Sequence, residues 1–172
     1  MSEPSPLAAK DPQERRRRIL AAAIEVLESK GFAGTRIADI AAVAGTSPAL
    51  VVYHFKTLDG VLAEALGSVE DDFYQNVAAA TPADADAVER LRILSYFASV
   101  GGPAVGTWAL YMEVWVRALR DGGARAMRHT VDTRWRHTLI ELIRSGVAEG
   151  SFNCPDPQAS ALRLAALMDG LA

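Results

Sequence analysis

Apolar residues recur at three- and four-residue steps along nearly the whole chain, and that period commits it to helices. Val, Ile and Thr nowhere alternate with polar residues over a run long enough for a strand. From about Pro12 to Lys30, Ile19, Ala23, Val26 and Leu27 share one face, and Gly31 stands where the helix should stop. Thr35 is the expected N-cap of a short helix from Ile37 to Ala44, which Gly45 breaks. Ser47-Pro48, an N-cap followed by proline at the first helical position, opens the next. Thr57 opens a long helix with Leu58, Leu62, Leu66, Val69, Phe73 and Val77 on one stripe, ending at Thr81-Pro82. A helix through Leu91, Leu94 and Phe97 follows, then a break at Gly101-Gly102-Pro103. Further helices are expected from Trp108 to Arg120, from Ala124 to Ala148 after Asp121-Gly122-Gly123, and from Gln158 to Ala172. The last carries no stop signal, so the chain reads as shorter than its natural length at the C-terminus. The fold class is all-α.

Several functional classes find no support in the residues. The longest apolar stretches are broken by charges before the roughly 18 residues of a membrane span, and Met1 to Lys10 lacks the apolar core of a secretion signal. A cytoplasmic protein without a membrane partner is the expectation. The single cysteine, Cys154, cannot pair within the chain. His129 and His137 stand eight residues apart with Arg134 and Arg136 between them, which is no metal-ligand spacing. No nucleophile elbow, phosphate loop or acid–base pair is visible, so no catalytic residue, metal or cofactor is expected. Net charge is −3, but residues 1–60 carry eight basic residues against seven acidic ones, while the remainder carries ten against fourteen. That distribution permits an N-terminal contact with nucleic acid without demanding it.

The most informative stretch runs from Gly31 to Lys56. Two short helices joined by a glycine-containing turn form a helix-turn-helix. Ala41 is small enough for the helices to cross closely, Gly45 can take the positive φ of the tight turn, and Ile37, Ile40, Ala44 and Val51 supply a shared core. Thr46, Ser47, Pro48, Ala49, Tyr53 and His54 are left to face outward. The start of the second helix enters the major groove in such a motif, where small Ser47 and Ala49 permit close approach to base edges. Thr35 and Arg36, at a helix N-terminus, are placed for phosphates, and Tyr53, His54 and Lys56 can hydrogen-bond the backbone. Arg15 to Arg18 read equally as a phosphate clamp or as a solvated helix start.

These residues resemble the tetracycline-repressor (TetR) family over about residues 15–66. The pattern is carried by Gly31-Phe32, Thr35, Ile40-Ala41, Ala44-Gly45-Thr46-Ser47 and Tyr53-His54-Phe55. Ser47 to Phe55 and the late Leu167-Met168-Asp169-Gly170-Leu171-Ala172 look more like the betaine-inhibitor (BetI) subgroup, a weaker match. The resemblance implies an arm and three-helix DNA-binding domain over 1–56 and a helical effector-binding and dimerisation domain over 57–172. It implies a homodimer on a palindromic operator, released by an unidentified small molecule, with the Thr57–Val77 helix as lever. Two positions depart from the pattern: Val52 stands where the family has tyrosine and Leu58 where it has lysine or arginine, both phosphate contacts. Their loss predicts a salt dependence shallower by about one unit of slope per contact.

For the effector, the candidate lining is Trp108, Tyr111, Met112 and Trp115 on one helical face, with Tyr96 and Phe97 on the preceding helix. Such a stripe serves equally as plain core. Mostly apolar walls suit an amphipathic or aromatic ligand, with Glu113, Tyr111 or His129 as possible polar anchors. Leu139, Leu142, Ile143, Val147, Ala161, Leu162, Ala165, Leu167 and Met168 read as intrachain core from the residues, and as a two-fold interface from the resemblance. The rival functions are a helical enzyme and a protein-interaction module without DNA binding.

Overall fold

The computed structural model describes residues 11–99 and 105–170, and among these it contains eight helices and no strand. The break expected at Gly101-Gly102-Pro103 and the tail Leu171-Ala172 lie outside the described residues. Contacts divide the chain into two compact units, one ending at Ser68 and one beginning at Val69.

In the first unit, α1 spans Pro12–Gly34, α2 Ile37–Val43 and α3 Pro48–Phe55, and the start of α4, Leu58–Ala80, closes the core. Asp11 begins α1 by accepting the Gln13 N–H at 2.9 Å, with Pro12 in the first turn. At Gly31 (φ 66°, ψ 173°) the helix kinks rather than stops, and one further turn reaches Gly34. Ser47 caps α3 by accepting the Leu50 N–H at 3.2 Å. Thr57 caps α4 by accepting the Gly60 N–H at 3.0 Å. Ile19, Ala23, Val26, Ile40, Ala41, Val51 and Phe55 are buried together, with Ile37 packed against them. Val61 and Ala65 of α4 belong to the same cluster, and for that reason the unit extends past the boundary expected at residue 56. The helix that begins a second domain in sequence is also the lid of the first core.

Thr35 does not cap α2. The cap position is Arg36, whose side chain makes no capping bond. Thr35 is only 3% exposed and donates its hydroxyl to the Gly31 carbonyl at 2.7 Å. The kink at Gly31 frees that carbonyl from the helical ladder, and the threonine satisfies it instead.

The second unit contains the rest of α4 with α5 Ala87–Ala98, α6 Val105–Ala118, α7 Gly122–Ala148 and α8 Pro157–Gly170. Aspartates start three of them: Asp86 accepts the Glu89 N–H at 2.8 Å, Asp121 the Ala124 N–H at 2.8 Å and Asp156 the Ala159 N–H at 2.9 Å. Leu94, Leu139, Ile143, Ala161 and Ala165 form its core. Half of the α7–α8 face is therefore intrachain core, while Val147, Leu162 and Leu167 stay exposed. Beside that core, Arg90 of α5 pairs with Glu149 and hydrogen-bonds Ser145 at 2.6 Å, and Glu149 accepts the Ala87 N–H at 3.1 Å.

Candidate functional site

Two places carry functional geometry, one in each unit. In the first, the turn between α2 and α3 is closed by the Thr46 N–H donating to the Ala41 carbonyl at 2.9 Å, and Gly45 takes φ 62° to allow it. Arg18 donates to the Ala44 carbonyl at 2.7 Å and so braces the turn from α1. Arg16 pairs with Glu64 and lies 4.6 Å over the Phe55 ring. Two of the four consecutive arginines are thus engaged in holding the motif together.

Ser47, Pro48, Ala49, Tyr53 and Lys56 are exposed on α3 and at its end, as is Arg36, and Thr46 is half-buried. Tyr53 stands out from the surface at 70% exposure, with the Lys56 ammonium 5.4 Å over its ring. His54 departs from the outward reading. It is half-buried, and its Nε2 is enclosed with no hydrogen-bond partner among the described residues, so a phosphate contact requires the ring to turn out. Thr35 departs further, since its hydroxyl is buried and committed to Gly31. Val52 is exposed on α3, while Leu58 packs against the core, which explains why an apolar residue is tolerated there.

In the second unit, a half-enclosed cavity is lined by Glu70, Phe73 and Tyr74 of α4, Ala98 of α5, and Trp108, Tyr111 and Trp115 of α6. Val131, Asp132 and Trp135 of α7 and Met168 and Asp169 of α8 complete it. Its free space is about 80 Å³, room for a small molecule. All three tryptophans of the chain are in the wall. Trp108 and Trp115 meet edge-on at 6.3 Å, as do Phe73 and Trp135 at 6.3 Å. Trp108 donates its indole N–H to the Ala98 carbonyl at 3.0 Å. Trp115 is different: its Nε1 is buried and has no acceptor among the described residues.

Three carboxyl groups share this wall, and no Lys, Arg or His lines it among the described residues. Glu70 is only 6% exposed. Burial raises its pKa above the ordinary glutamate value; Arg134 opposes the shift, and Asp71 and Asp132 reinforce it. Burial, with help from Asp132, likewise raises Asp169, against the pull of Arg128. Burial pushes the phenols of Tyr111 and Tyr74 up too. Arg134 bonds Asp71 at 2.7 Å and stacks 4.2 Å over Tyr74, while Arg128 lies 5.2 Å over Trp115. These cations back the aromatic rings.

Of the residues expected to line a pocket, Trp108, Tyr111 and Trp115 do so. Tyr96 is 58% exposed, Met112 is 39% exposed, and Phe97 is not in the lining. On a helical wheel Met112 lies about 60–70° from the centre of the 108–111–115 stripe, enough to turn it to the outer face. The lining residues named from sequence all lie on α5 and α6, whereas the wall also takes residues of α4, α7 and α8. A signal was present. Glu70 stands four residues after Leu66 and three before Phe73, an acid inside an apolar stripe, and Asp132 precedes Trp135 and Leu139 in the same way.

An exposed second helix of a helix-turn-helix on a helical core, followed by a helical unit that holds a small cavity, is the architecture of a helix-turn-helix DNA-binding regulator. Residues 19–65 match the family described as bacterial regulatory proteins, tetR family, and residues 89–172 match the C-terminal domain of BetI-type transcriptional repressors. The chain belongs to the TetR family of transcriptional regulators, and is not an enzyme. It is 28% identical to the HTH-type transcriptional regulator BetI of Burkholderia thailandensis over 165 residues, 91% of this chain and 79% of that one. Among solved structures it is similar to a protein of Saccharomonospora viridis described as a transcriptional regulator, in complex with choline. The identity is 33%, the TM-score 0.76, and coverage 92% of this chain and 83% of that one. A TetR-family member of Streptomyces coelicolor is 31% identical, with a TM-score of 0.67 over 91% of this chain and 84% of that one.

Proposed function

We propose that this regulator is a homodimeric cytoplasmic repressor that leaves a palindromic operator when a quaternary ammonium compound of the choline class enters the second unit. The observation that carries the effector class is the cavity wall: aromatic faces and three carboxyl groups, with no basic residue in the lining among the described residues. A quaternary ammonium cannot donate a conventional hydrogen bond, so it is recognised by ring faces and by anions. Each well-placed cation–π contact is worth about 0.5–2 kcal/mol. A free space near 80 Å³ favours a compact ligand among the amphipathic or aromatic ones that the apolar stripe suits. The choline found in the Saccharomonospora viridis relative supports the same class.

Reading an operator with two-fold symmetry requires two recognition helices, and the exposed Leu162 and Leu167 of α8, with Val147 of α7, offer apolar surface for pairing. α4 carries Val61 and Ala65 of the first core and Glu70, Phe73 and Tyr74 of the cavity on one continuous helix. A ligand that prefers one placement of α4 biases the recognition helix by its differential affinity for the two states, and by no more than that.

The test has two arms. Sequences are selected from a random duplex pool at near-physiological salt, with Tyr53→Ala and Ser47→Trp alongside; a palindrome weakened by both variants is expected. Choline is then titrated against intrinsic fluorescence, which reports on the cavity directly because every tryptophan lines it. Choline should perturb the emission and release the selected duplex, while its uncharged tert-butyl isostere (3,3-dimethylbutan-1-ol) should bind at least about ten-fold more weakly. Equal binding of the isostere would show that shape rather than charge is sensed, and the cation reading would be abandoned.

A further inference from the structure

The cavity shares one residue of its acidic wall with a second space. Asp132 also lines an open shelf on the neighbouring surface, together with Arg125, Arg128 and His129 of α7 and Ala118 and Leu119 at the end of α6. Residues 125, 128, 129 and 132 are spaced by three and four, so α7 presents them as one stripe. Asp132, which borders both spaces, pairs with Arg128 of the shelf, Nε to Oδ2 at 3.2 Å, and the same guanidinium lies 5.2 Å over the Trp115 ring. The pair is not sealed in: its side chains keep 40% and 27% of their accessible surface. To the charge of Asp132 the cavity adds Glu70 and Asp169, and the shelf adds Arg125 and Arg128, with the His129 imidazole.

A choline molecule uses only half of this arrangement. Two features ask for something more on the ligand. The buried Nε1–H of Trp115 has no acceptor among the described residues, and a buried donor left unpaired favours a ligand that can accept from it. The guanidinium lying over that indole is paired with the carboxylate that an incoming ammonium would claim. When Asp132 turns to a bound cation, Arg128 is left in need of an anion.

We propose that the preferred effector is amphoteric, a quaternary ammonium carrying an anionic phosphate, sulfate or carboxylate, with the ammonium in the aromatic cavity and the anion on the Arg125–Arg128–His129 shelf. The inference rests on the cation-cavity reading above and deepens it. Arg128 and Asp132 exchange their mutual ion pair for one ligand charge each, so neither is left uncompensated as the ligand crosses between them. The two side chains that would each take one ligand charge leave α7 one turn apart and meet at 3.2 Å, so the ligand's two charges must lie close together. An ammonium and an anionic group joined by a two- or three-carbon link meet that requirement. A planar fork such as Arg128 holds a phosphate or carboxylate through two parallel hydrogen bonds.

The experiment titrates the full chain with choline, with soluble phosphocholine and with inorganic phosphate, following tryptophan emission and calorimetric heat. Phosphocholine should bind about ten-fold or more tightly than choline. That advantage should shrink several-fold in the double variant Arg125→Gln/His129→Gln, whose positions are both exposed and which leaves only Arg128 to hold the anion, while choline affinity stays as it was and serves as the control for folding. Arg125→Glu is the second variant, and it should weaken phosphocholine by more than ten-fold while leaving choline bound. Phosphocholine binding no tighter than choline, or keeping its advantage in both variants, overturns the proposal and leaves the cation cavity standing. Failure of both compounds to bind overturns the cation reading and this inference together. Phosphatidylcholine vesicles separate a soluble effector from a lipid headgroup, and a response to vesicles alone would also overturn the proposal.

Discussion

Lys56 joins the recognition helix to α4 in a conformation that a side chain rarely takes, φ 68° and ψ −50°. The Thr57 N–H donates to the Phe55 carbonyl across it at 2.8 Å, which makes it the centre of a strained three-residue γ-turn. Strain of this kind costs about 1–3 kcal/mol, and it is retained where a side chain is wanted at that place. The Lys56 ammonium bonds the Tyr53 carbonyl at 3.0 Å and lies over the Tyr53 ring, so the lysine is positioned on the exposed face of α3. Replacing it with glycine separates the two effects. Lys56→Gly should raise the thermal midpoint by about 2–4 °C, as expected for about 1 kcal/mol in a chain of this size. It should also weaken duplex binding and reduce the slope of log affinity against log salt by about one. A lowered midpoint would mean that the turn carries no strain.

Among the elements, α7 decides most of the second unit, and its fit against α5 depends on one missing side chain. A Cβ at Gly146 would stand 2.1 Å from the Phe152 ring and 2.8 Å from the Ala87 Cβ. The aromatic ring of the loop after α7 therefore folds back onto the helix only over glycine. Gly146→Ala should cost about 1–3 kcal/mol of stability through this overlap, measured by denaturant unfolding. Choline-dependent fluorescence should survive in the variant below its melting temperature, because neither Gly146 nor Phe152 lines the cavity. A neutral or stabilising alanine would show that the loop can move aside. The same helix shows why pattern alone placed the pocket too narrowly. Asp132 and Trp135 sit on its core-facing stripe, and only packing against α4, α6 and α8 turns that stripe into a wall.

For the molecule as a whole, the carboxyl groups of the cavity wall make stability and ligand binding depend on pH in opposite senses. Glu70 and Asp169 have pKa values raised in the fold, chiefly by burial. Their contribution to stability is complete below the ordinary carboxylate range and is lost as pH rises through the raised values. A bound quaternary ammonium favours the ionised forms, so its binding releases protons and strengthens over the same interval. Thermal melts with and without choline from about pH 5 to pH 8 should show a ligand-induced shift that grows with pH. Glu70→Gln should flatten that growth while leaving the aromatic wall in place. A shift that is constant or falls with pH would place the cation away from these carboxylates.

Much of this was legible in the residues because it is local. Helix starts at Pro12, Ser47-Pro48 and Thr57 follow from capping chemistry, and the turn at Gly45 follows from the φ it needs. The exposed run Ser47 to Ala49 with Tyr53 follows from which positions of a short helix must face its partner. The cavity was half legible, through the α6 stripe. What the sequence could not show was which turn of each long helix meets which neighbour. Thr35 reads as a cap until the kink at Gly31 turns a free carbonyl toward it, and the acid at Glu70 becomes part of a cavity wall only once the residues of the other helices that share the lining are packed around it. Periodicity tells a helix which of its faces is apolar. Packing between helices decides which of those apolar faces closes on protein and which is left to close on a ligand, because burial depends on distances between residues that are far apart in the chain.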